Sequence, residues 1–256
     1  MRLMRILISN DDGIHAPGIE VLADAVSDLG DIDVVAPAQE QSGASHSVTL
    51  NHPLRPLPVT REGREFGLSV SGTPADCVKL AVHHLLPHPP DLILSGINRG
   101  SNAGICVIYS GTISAAAEGA ILGIPSIAFS LCAFETPLLW DAAGQVARKV
   151  VENVAQSGLP GDTMLNVNIP NLPVDQLRGF AVAPMGKSRY IDEFEERIDP
   201  RGNKYYWLVG EVHRAESSKR SDLDAVEEGY VALTPIHFDL TDHDSLERLS
   251  RWQLSL

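Results

Sequence analysis

The sequence predicts an α/β protein built on a doubly wound, mostly parallel sheet, and three observations carry that expectation. Short, near-continuous apolar runs, as in strands buried on both faces, recur at 5–9 (RILIS), 31–37 (DIDVVAP), 91–95 (DLILS) and 124–130. Stretches with helical spacing separate them. Small polar residues gather just after these runs, where an open α/β sheet binds its ligands.

Taken in order, the first run ends in Asn10-Asp11-Asp12-Gly13. Ile19, Leu22, Ala23, Val26 and Leu29 then share a helical face, so 18–29 predicts a helix and 31–37 the next strand, a βαβ unit. A helix over 74–86 follows, with Thr73 as cap and Pro74 at its first position. Strand 91–95, helix 112–122, strand 124–130 and helix 137–156 continue the alternation, which implies right-handed crossovers. Beyond Gly161, 164–169, 179–183, 205–209 and 230–233 are strand-like, whereas 187–203 and 213–228 are polar and charged. We expect a single domain over 1–256, with a core of about 1–180 plus 230–256, a hairpin-and-loop extension of about 181–229, and a terminal helix near 243–252.

Composition narrows the function. Apolar residues make up 44% and charged residues 21%, as in folded soluble proteins. A net charge of -13 repels a long polyanion, so stable nucleic-acid binding is not expected. A small phosphorylated ligand remains compatible if one cation neutralises it. Cys77, Cys106 and Cys132 lack CxxC spacing and read as small core residues. The chain enters its first strand within a few residues, leaving no room for a signal peptide. The apolar stretch 113–134 is broken by Glu118, glycines and Pro125, so no membrane span is expected and the chain reads as cytoplasmic.

The chemistry concentrates after three strands. Asp11 and Asp12, with hydroxyl and amide oxygens nearby, form a hard-oxygen set suited to Mg²⁺ or Mn²⁺. A turn needs one carboxylate at most, and here two sit where the fold places its ligand. Ser42 lies in Gln41-Ser42-Gly43-Ala44-Ser45, which by itself reads equally as a flexible connection. Asn98, between Gly96 and Gly100, reads equally as a ligand or as a loop residue at positive φ. Tyr109-Ser110-Gly111-Thr112 opens a helix, so its N–H groups and hydroxyls suit a phosphate and also a cap. His237 follows a strand-like run and is a candidate acid for a leaving alkoxide. Lys187, Arg189 and Tyr190 lie in a polar loop that either contacts substrate or is simply solvated.

With these residues in place, the sequence resembles the SurE family of stationary-phase survival proteins, which are 5′-nucleotidases. ILISNDDGIHAPGIEVLADAV, VVAPAQEQSGASHSVTL, SGTPADCVKLAV, DLILSGINRGSNAG, YSGTISAAAEGAILGIPSIAFS and GYVALTPIHFDLT carry the resemblance. It covers nearly the whole chain, more loosely over 187–228. AQEQ departs from the acidic-basic pair that many relatives carry before SGAS. The resemblance implies a Rossmann-like core, one divalent ion on Asp11, Asp12, Ser42 and Asn98, and phosphate binding by Ser110, Gly111 and Thr112 with Asn102 nearby. It also implies a swapped C-terminal hairpin used in homodimers or homotetramers.

The expected activity is hydrolysis of nucleoside monophosphates, with 3′-nucleotides and short polyphosphate as further candidate substrates and Asp11 or Asp12 doubling as general base. An aspartyl-phosphate mechanism of the haloacid-dehalogenase type places its aspartates two apart, whereas Asp11 and Asp12 are adjacent. A metal-dependent nucleotide-sensing module without turnover is the remaining alternative. The first βα turn lacks GxGxxG, and its carboxylates disfavour a metal-free pyrophosphate site.

Overall fold

Strand β1 (Met4–Ser9) supplies the centre of the fold because both of its faces are apolar: Ile6, Leu7 and Ile8 are fully buried. The structure, a computed structural model, describes residues 4–214 and 219–254, with Tyr190, Glu211 and Val212 followed through their backbone only. Helix α1 (Pro17–Val26) leads to β2 (Gly30–Pro37), which pairs in parallel with β1. A long connection, 38–55, then reaches the hairpin β3 (Pro56–Arg61) and β4 (Arg64–Val70). Helix α2 (Pro74–Leu80) starts on a capping box between Thr73 and Asp76 and loosens into a wide turn over Ala81–Leu85.

Strand β5 (Leu92–Arg99) pairs in parallel with β1, and the one-turn helix α3 (Cys106–Tyr109) precedes α4 (Gly111–Ile121). Next come β6 (Ser126–Cys132), α5 (Trp140–Ser157), β7 (Thr163–Pro170) and β8 (Phe180–Val182). The extension holds β9 (Ser188–Ile191), β10 (Phe194–Ile198), β11 (Lys204–Leu208), β12 (Glu211–Arg214) and α6 (Asp222–Glu227). Strand β13 (Val231–His237) returns to the main sheet, and α7 (His243–Ser250) follows.

The main sheet has the order β3-β4-β2-β1-β5-β6-β7-β13-β8. Its pairings are parallel except at the β3–β4 hairpin and between β7 and β13, so the expected doubly wound α/β architecture is present. Helices α1 and α5 cover one face, with a core of Ile6, Ile8, Leu22, Leu94, Phe129 and Val150. Helices α2 and α4 cover the other, against Leu7, Val35, Ile93 and Ala128.

Side-chain volume on that second face positions the site. Helix α4 offers Ala115, Ala116, Gly119 and Ala120, all buried, to Ser126 and Ala128 of β6. A Cβ on Gly119 would stand 2.2 Å from Ser126 Oγ, so the helix sits as close to the sheet as backbone allows. That depth brings its amino end level with the end of β1.

The fold differs from the sequence reading in four respects. Strand β5 runs to Arg99, not 95; the hairpin over 56–70 was not expected; β9, β10, the end of β12 and α6 occupy segments read as polar loop; and the helix expected over 74–86 is α-helical only to Leu80, continuing as the wider turn Ala81–Leu85.

Candidate functional site

The carboxyl end of β1 delivers Asp11 and Asp12 between β2 and β5. Asp11 is only 5% exposed and faces the start of α4, where the Thr112 hydroxyl donates to Oδ1. Burial pushes its carboxyl up from the ordinary range, and hydrogen bonds from the Thr112 hydroxyl and the Thr112 and Gly111 N–H groups offset part of that rise. The positive end of α4 is therefore already turned towards a carboxylate. Gly111 is what permits the approach: a Cβ there would lie 2.7 Å from Asp11 Cβ and 3.1 Å from Pro74 Cγ.

Asp12 is half-buried and accepts the Arg99 N–H at 3.1 Å through Oδ2. Burial, and then repulsion from Asp11, push its carboxyl up to about 6. No lysine or arginine side chain lies within ion-pair distance of either aspartate among the described residues.

Strand β5 breaks register against β6 between Ser95 and Asn98, at Gly96 with φ +126°. A Cβ there would stand 2.4 Å from Phe129 O, so glycine alone fits. The break brings Asn98 to the strand end, nearly buried, where its Nδ2 donates to Gly100 O at 2.9 Å and leaves Oδ1 as the acceptor. Two carboxylates and an amide oxygen form a hard donor set with uncompensated negative charge, which fits a divalent cation. No group of three or more His, Cys, Asp or Glu side chains converges among the described residues, so such a site needs neutral oxygens as well.

Ser42 lies on the 38–55 connection next to Gln41, whose N–H donates to Asp11 O at 2.7 Å. Its own hydroxyl is exposed and donates to Glu40 Oε1 at 2.5 Å. Ser110 caps α4 by accepting Ile113 N–H at 3.1 Å, and Ser110, Gly111 and Thr112 all lie buried beside Asp11. Asn102 is held from three sides: its N–H donates to Asn168 Oδ1, its Nδ2 to Ser130 Oγ, and its carbonyl accepts from Asn166 Nδ2.

His237 is not brought to this site within the chain. Strand β13 runs antiparallel to β7, and His237 pairs with Thr163 at the amino end of β7. Along the register it lies about five residue steps, roughly 16 Å, below Asp11 and four strand spacings, roughly 19 Å, to the side. Lys187 and Arg189 are exposed, and Tyr190's side chain lies outside the described residues.

The sequence reading missed several supporting residues. Asn166 and Asn168 alternate along β7 and face α4, fully buried, a polar period of two that a buried strand does not otherwise show. Buried Asp222 accepts N–H groups from Gly104 at 3.0 Å and Gly186 at 2.8 Å, joining the Asn102 loop to the extension. Ser188 accepts from Ile105 N–H at 2.8 Å across the same junction.

These features agree with what the chain is similar to. Residues 6–192 match the family described as Survival protein SurE. A protein of Syntrophobacter fumaroxidans named 5′-nucleotidase SurE is 45% identical over 98% of this chain and 100% of its own length. One of the same name from Chlorobium chlorochromatii is 48% identical over 98% of this chain and 92% of its own. The crystal structure of a SurE protein from Aquifex aeolicus superposes with a TM-score of 0.82 at 42% identity, covering 96% of this chain and 98% of that one. With the family matched over most of its length and the carboxylate pair set at the strand end that the fold reserves for ligands, this chain belongs to the SurE family.

Proposed function

We propose that the chain is a divalent-metal-dependent phosphomonoesterase that hydrolyses nucleoside monophosphates to nucleoside and phosphate. Relatives named 5′-nucleotidase at 45–48% identity over nearly the full length support the nucleotidase assignment. The observation that carries the metal is the uncompensated pair Asp11 and Asp12 at the carboxyl end of β1.

Asp11, Asp12 and Asn98 Oδ1 would hold one Mg²⁺ or Mn²⁺, with Ser42 joining once its hydroxyl turns from Glu40. Bound there, the cation supplies charge for the phosphoryl oxygens and acidifies the attacking water. Asp11 is fixed by Thr112 and the helix end, so its part is to orient. Asp12 has one oxygen engaged by Arg99 N–H and the other left to take a proton from water, which makes it the better general base. Ser110, Gly111 and Thr112 would bind phosphoryl oxygens at the amino end of α4, with Asn102 steadying the facing loop. His237 is withdrawn as the acid on its position in the sheet.

These donors address only the phosphoryl group, so the proposal extends to 3′-nucleotides and short polyphosphate. No helix among the described residues is long and apolar enough to cross a membrane; we place the protein in the cytoplasm without nucleic-acid partners. We treat residues 1–256 as one domain carrying the extension 181–229.

We also propose a homodimer or homotetramer. Strands β10 and β11 form a separate two-stranded ribbon exposed on both faces, with Phe194, Ile198, Tyr206, Trp207 and Leu208 all in solvent. Such a ribbon is marginal alone, and a second copy is the partner that gives it a core. Light scattering at micromolar concentration should report a multimer; a monomer would overturn this part.

The decisive assay is turnover of AMP and p-nitrophenyl phosphate after EDTA treatment, with and without added Mn²⁺. Binding of AMP without turnover under any metal would leave a nucleotide-sensing module instead.

A further inference from the structure

Glu118 is an anomaly in α4. Its buried neighbours on the helix, Ser114, Ala115 and Gly119, are small and uncharged, yet Glu118 is 2% exposed and ionisable. Its Oε1 receives Lys79 Nζ from α2 at 2.7 Å, and its Oε2 meets His46 Nε2 at 2.9 Å. Burial drives the carboxyl up, and the hydrogen bonds from His46 and Lys79 with the charge of Lys79 more than reverse it, leaving it below the ordinary glutamate range. A buried ion pair is poor as a stability device, since apolar residues of similar volume serve as well or better. Its placement points elsewhere.

Glu118 follows Gly111 by seven residues, two helical turns, and so lies on the helix face that meets Asp11 at its upper end. His46 lies four residues beyond Ser42 on the irregular 38–55 connection. That connection grips α3 and α4 in order: Ser45 N–H donates to Tyr109 O at 3.0 Å, Ser45 Oγ to Ile108 O at 2.7 Å, and His46 then reaches Glu118. On its other side, Ser47 O accepts from Thr73 Oγ1 at 2.7 Å. Of these anchors, only the contact at Glu118 joins the connection by side chain to the interior of the helix whose amino end holds Asp11.

Resting on the metal site proposed above, we propose that Glu118 is a positioning residue which, through His46, fixes the Ser42-bearing connection over the carboxylates so that the neutral ligand is presented to the cation. Outer groups that orient ligands are worth about 10–100-fold in metal affinity. Lys79 bonds Glu118 without a hydrogen bond to the connection, and provides the internal contrast.

The test is calorimetric titration of the full-length, EDTA-stripped protein with MnCl₂, alongside amide deuterium exchange over 41–49. Glu118→Gln and His46→Ala should each weaken Mn²⁺ binding about tenfold, and the double variant should be no weaker than either single one. Exchange over 41–49 should quicken in both, while kcat at saturating Mn²⁺ stays within about threefold of wild type because the reacting groups are untouched. Lys79→Met should keep Mn²⁺ affinity within about twofold, even if it melts earlier. If Glu118→Gln fails to fold, His46→Ala, at an exposed position, carries the test. Wild-type Mn²⁺ affinity and exchange in His46→Ala would overturn the proposal, whatever its melting temperature. An Asp12→Asn control that binds Mn²⁺ like wild type would instead overturn the metal site beneath it, so the two failures are told apart.

Discussion

Replacing Asp12 by Asn should abolish most turnover and yet raise the melting temperature of the metal-free protein. The Asp12 carboxyl stands at about 6 in the fold against an ordinary 3.8, a rise caused by burial and by Asp11. At about 1.4 kcal/mol per unit, full ionisation penalises the fold by at most about 3 kcal/mol. Solvent reaches this half-buried group, so roughly 1–2 kcal/mol is the working figure. At about 2–4 °C per kcal/mol for a chain of this size, the gain is about 2–8 °C. Asn removes the charge and can still accept the Arg99 N–H.

The sign follows from proton uptake. Between 3.8 and about 6 the folded state holds more protons than the unfolded one, so wild-type stability falls as pH rises through that window. The penalty is full above the window and absent below it. Thermal melts in EDTA should therefore show the variant ahead at about pH 7.5, with most of the lead gone by about pH 4.5. With Mn²⁺ at about a hundred times its dissociation constant, wild type regains about 2.7 kcal/mol and the order reverses. A variant that melts at or below wild type in EDTA at the higher pH, or whose lead does not depend on pH, would refute the reasoning. So would wild-type kcat.

EDTA should remove phosphatase activity and Mn²⁺ or Mg²⁺ restore it; full turnover in demetallated protein, checked by elemental analysis, would sink the metal site. His237→Asn should keep kcat/KM for AMP within about twofold, since the residue sits at the far end of the sheet; a loss above about tenfold would mean that another copy delivers it. Gly111→Ala should reduce kcat/KM at least about a hundredfold with a modest fall in stability, because the new methyl meets Asp11 rather than solvent, as steady-state kinetics and melts will report. Asp76→Asn should destabilise the fold, because the carboxylate accepts from Thr49 N–H, Thr49 Oγ1 and Thr73 N–H. Burial raises Asp76 and those bonds bring it below its ordinary value, so they stabilise above about pH 4 and fade on acidification. Denaturant melts should show a loss of about 1–2 kcal/mol near neutrality.

What the sequence made legible follows from which forces act within one chain. Buried parallel strands such as β1 and β5 announce themselves because both faces must be apolar, and Thr73 with Asp76 marks a helix start by local chemistry alone. The β3–β4 hairpin was hidden by Pro56 and Pro58, residues admissible only because β3 is the edge strand; Glu62 and Gly63, both at positive φ, make its turn. Strand β11 was legible at 205–209 from its aromatic run, whereas its partner β10 escaped because no core within the chain imposes alternation on it. The direction of β13 leaves no local mark in the sequence, and its antiparallel run against β7 carries His237 to the end of the sheet opposite Asp11. Asp11 and Asp12 were readable because a carboxylate pair at a strand end has little structural use. Glu118 and His46 were not, because their link spans 72 positions and leaves no local pattern.

The closeness of α4 to the sheet turns the site into a matter of clearances. Ser110, Gly111 and Thr112 stand where they do because the helix beneath them is nearly bare of side chain and Ser126 and Ala128 answer it with equal economy. A single methyl at Gly119 would run into the Ser126 hydroxyl and Ile93 Cδ1, and wherever those side chains do not give way the helix must lift. The lift would travel along a rigid rod to its amino end and draw Thr112 away from Asp11, two turns from the change. Residues that never meet substrate thus act as shims beneath the catalytic groups, and their tolerance is measured in tenths of an ångström rather than in hydrophobicity.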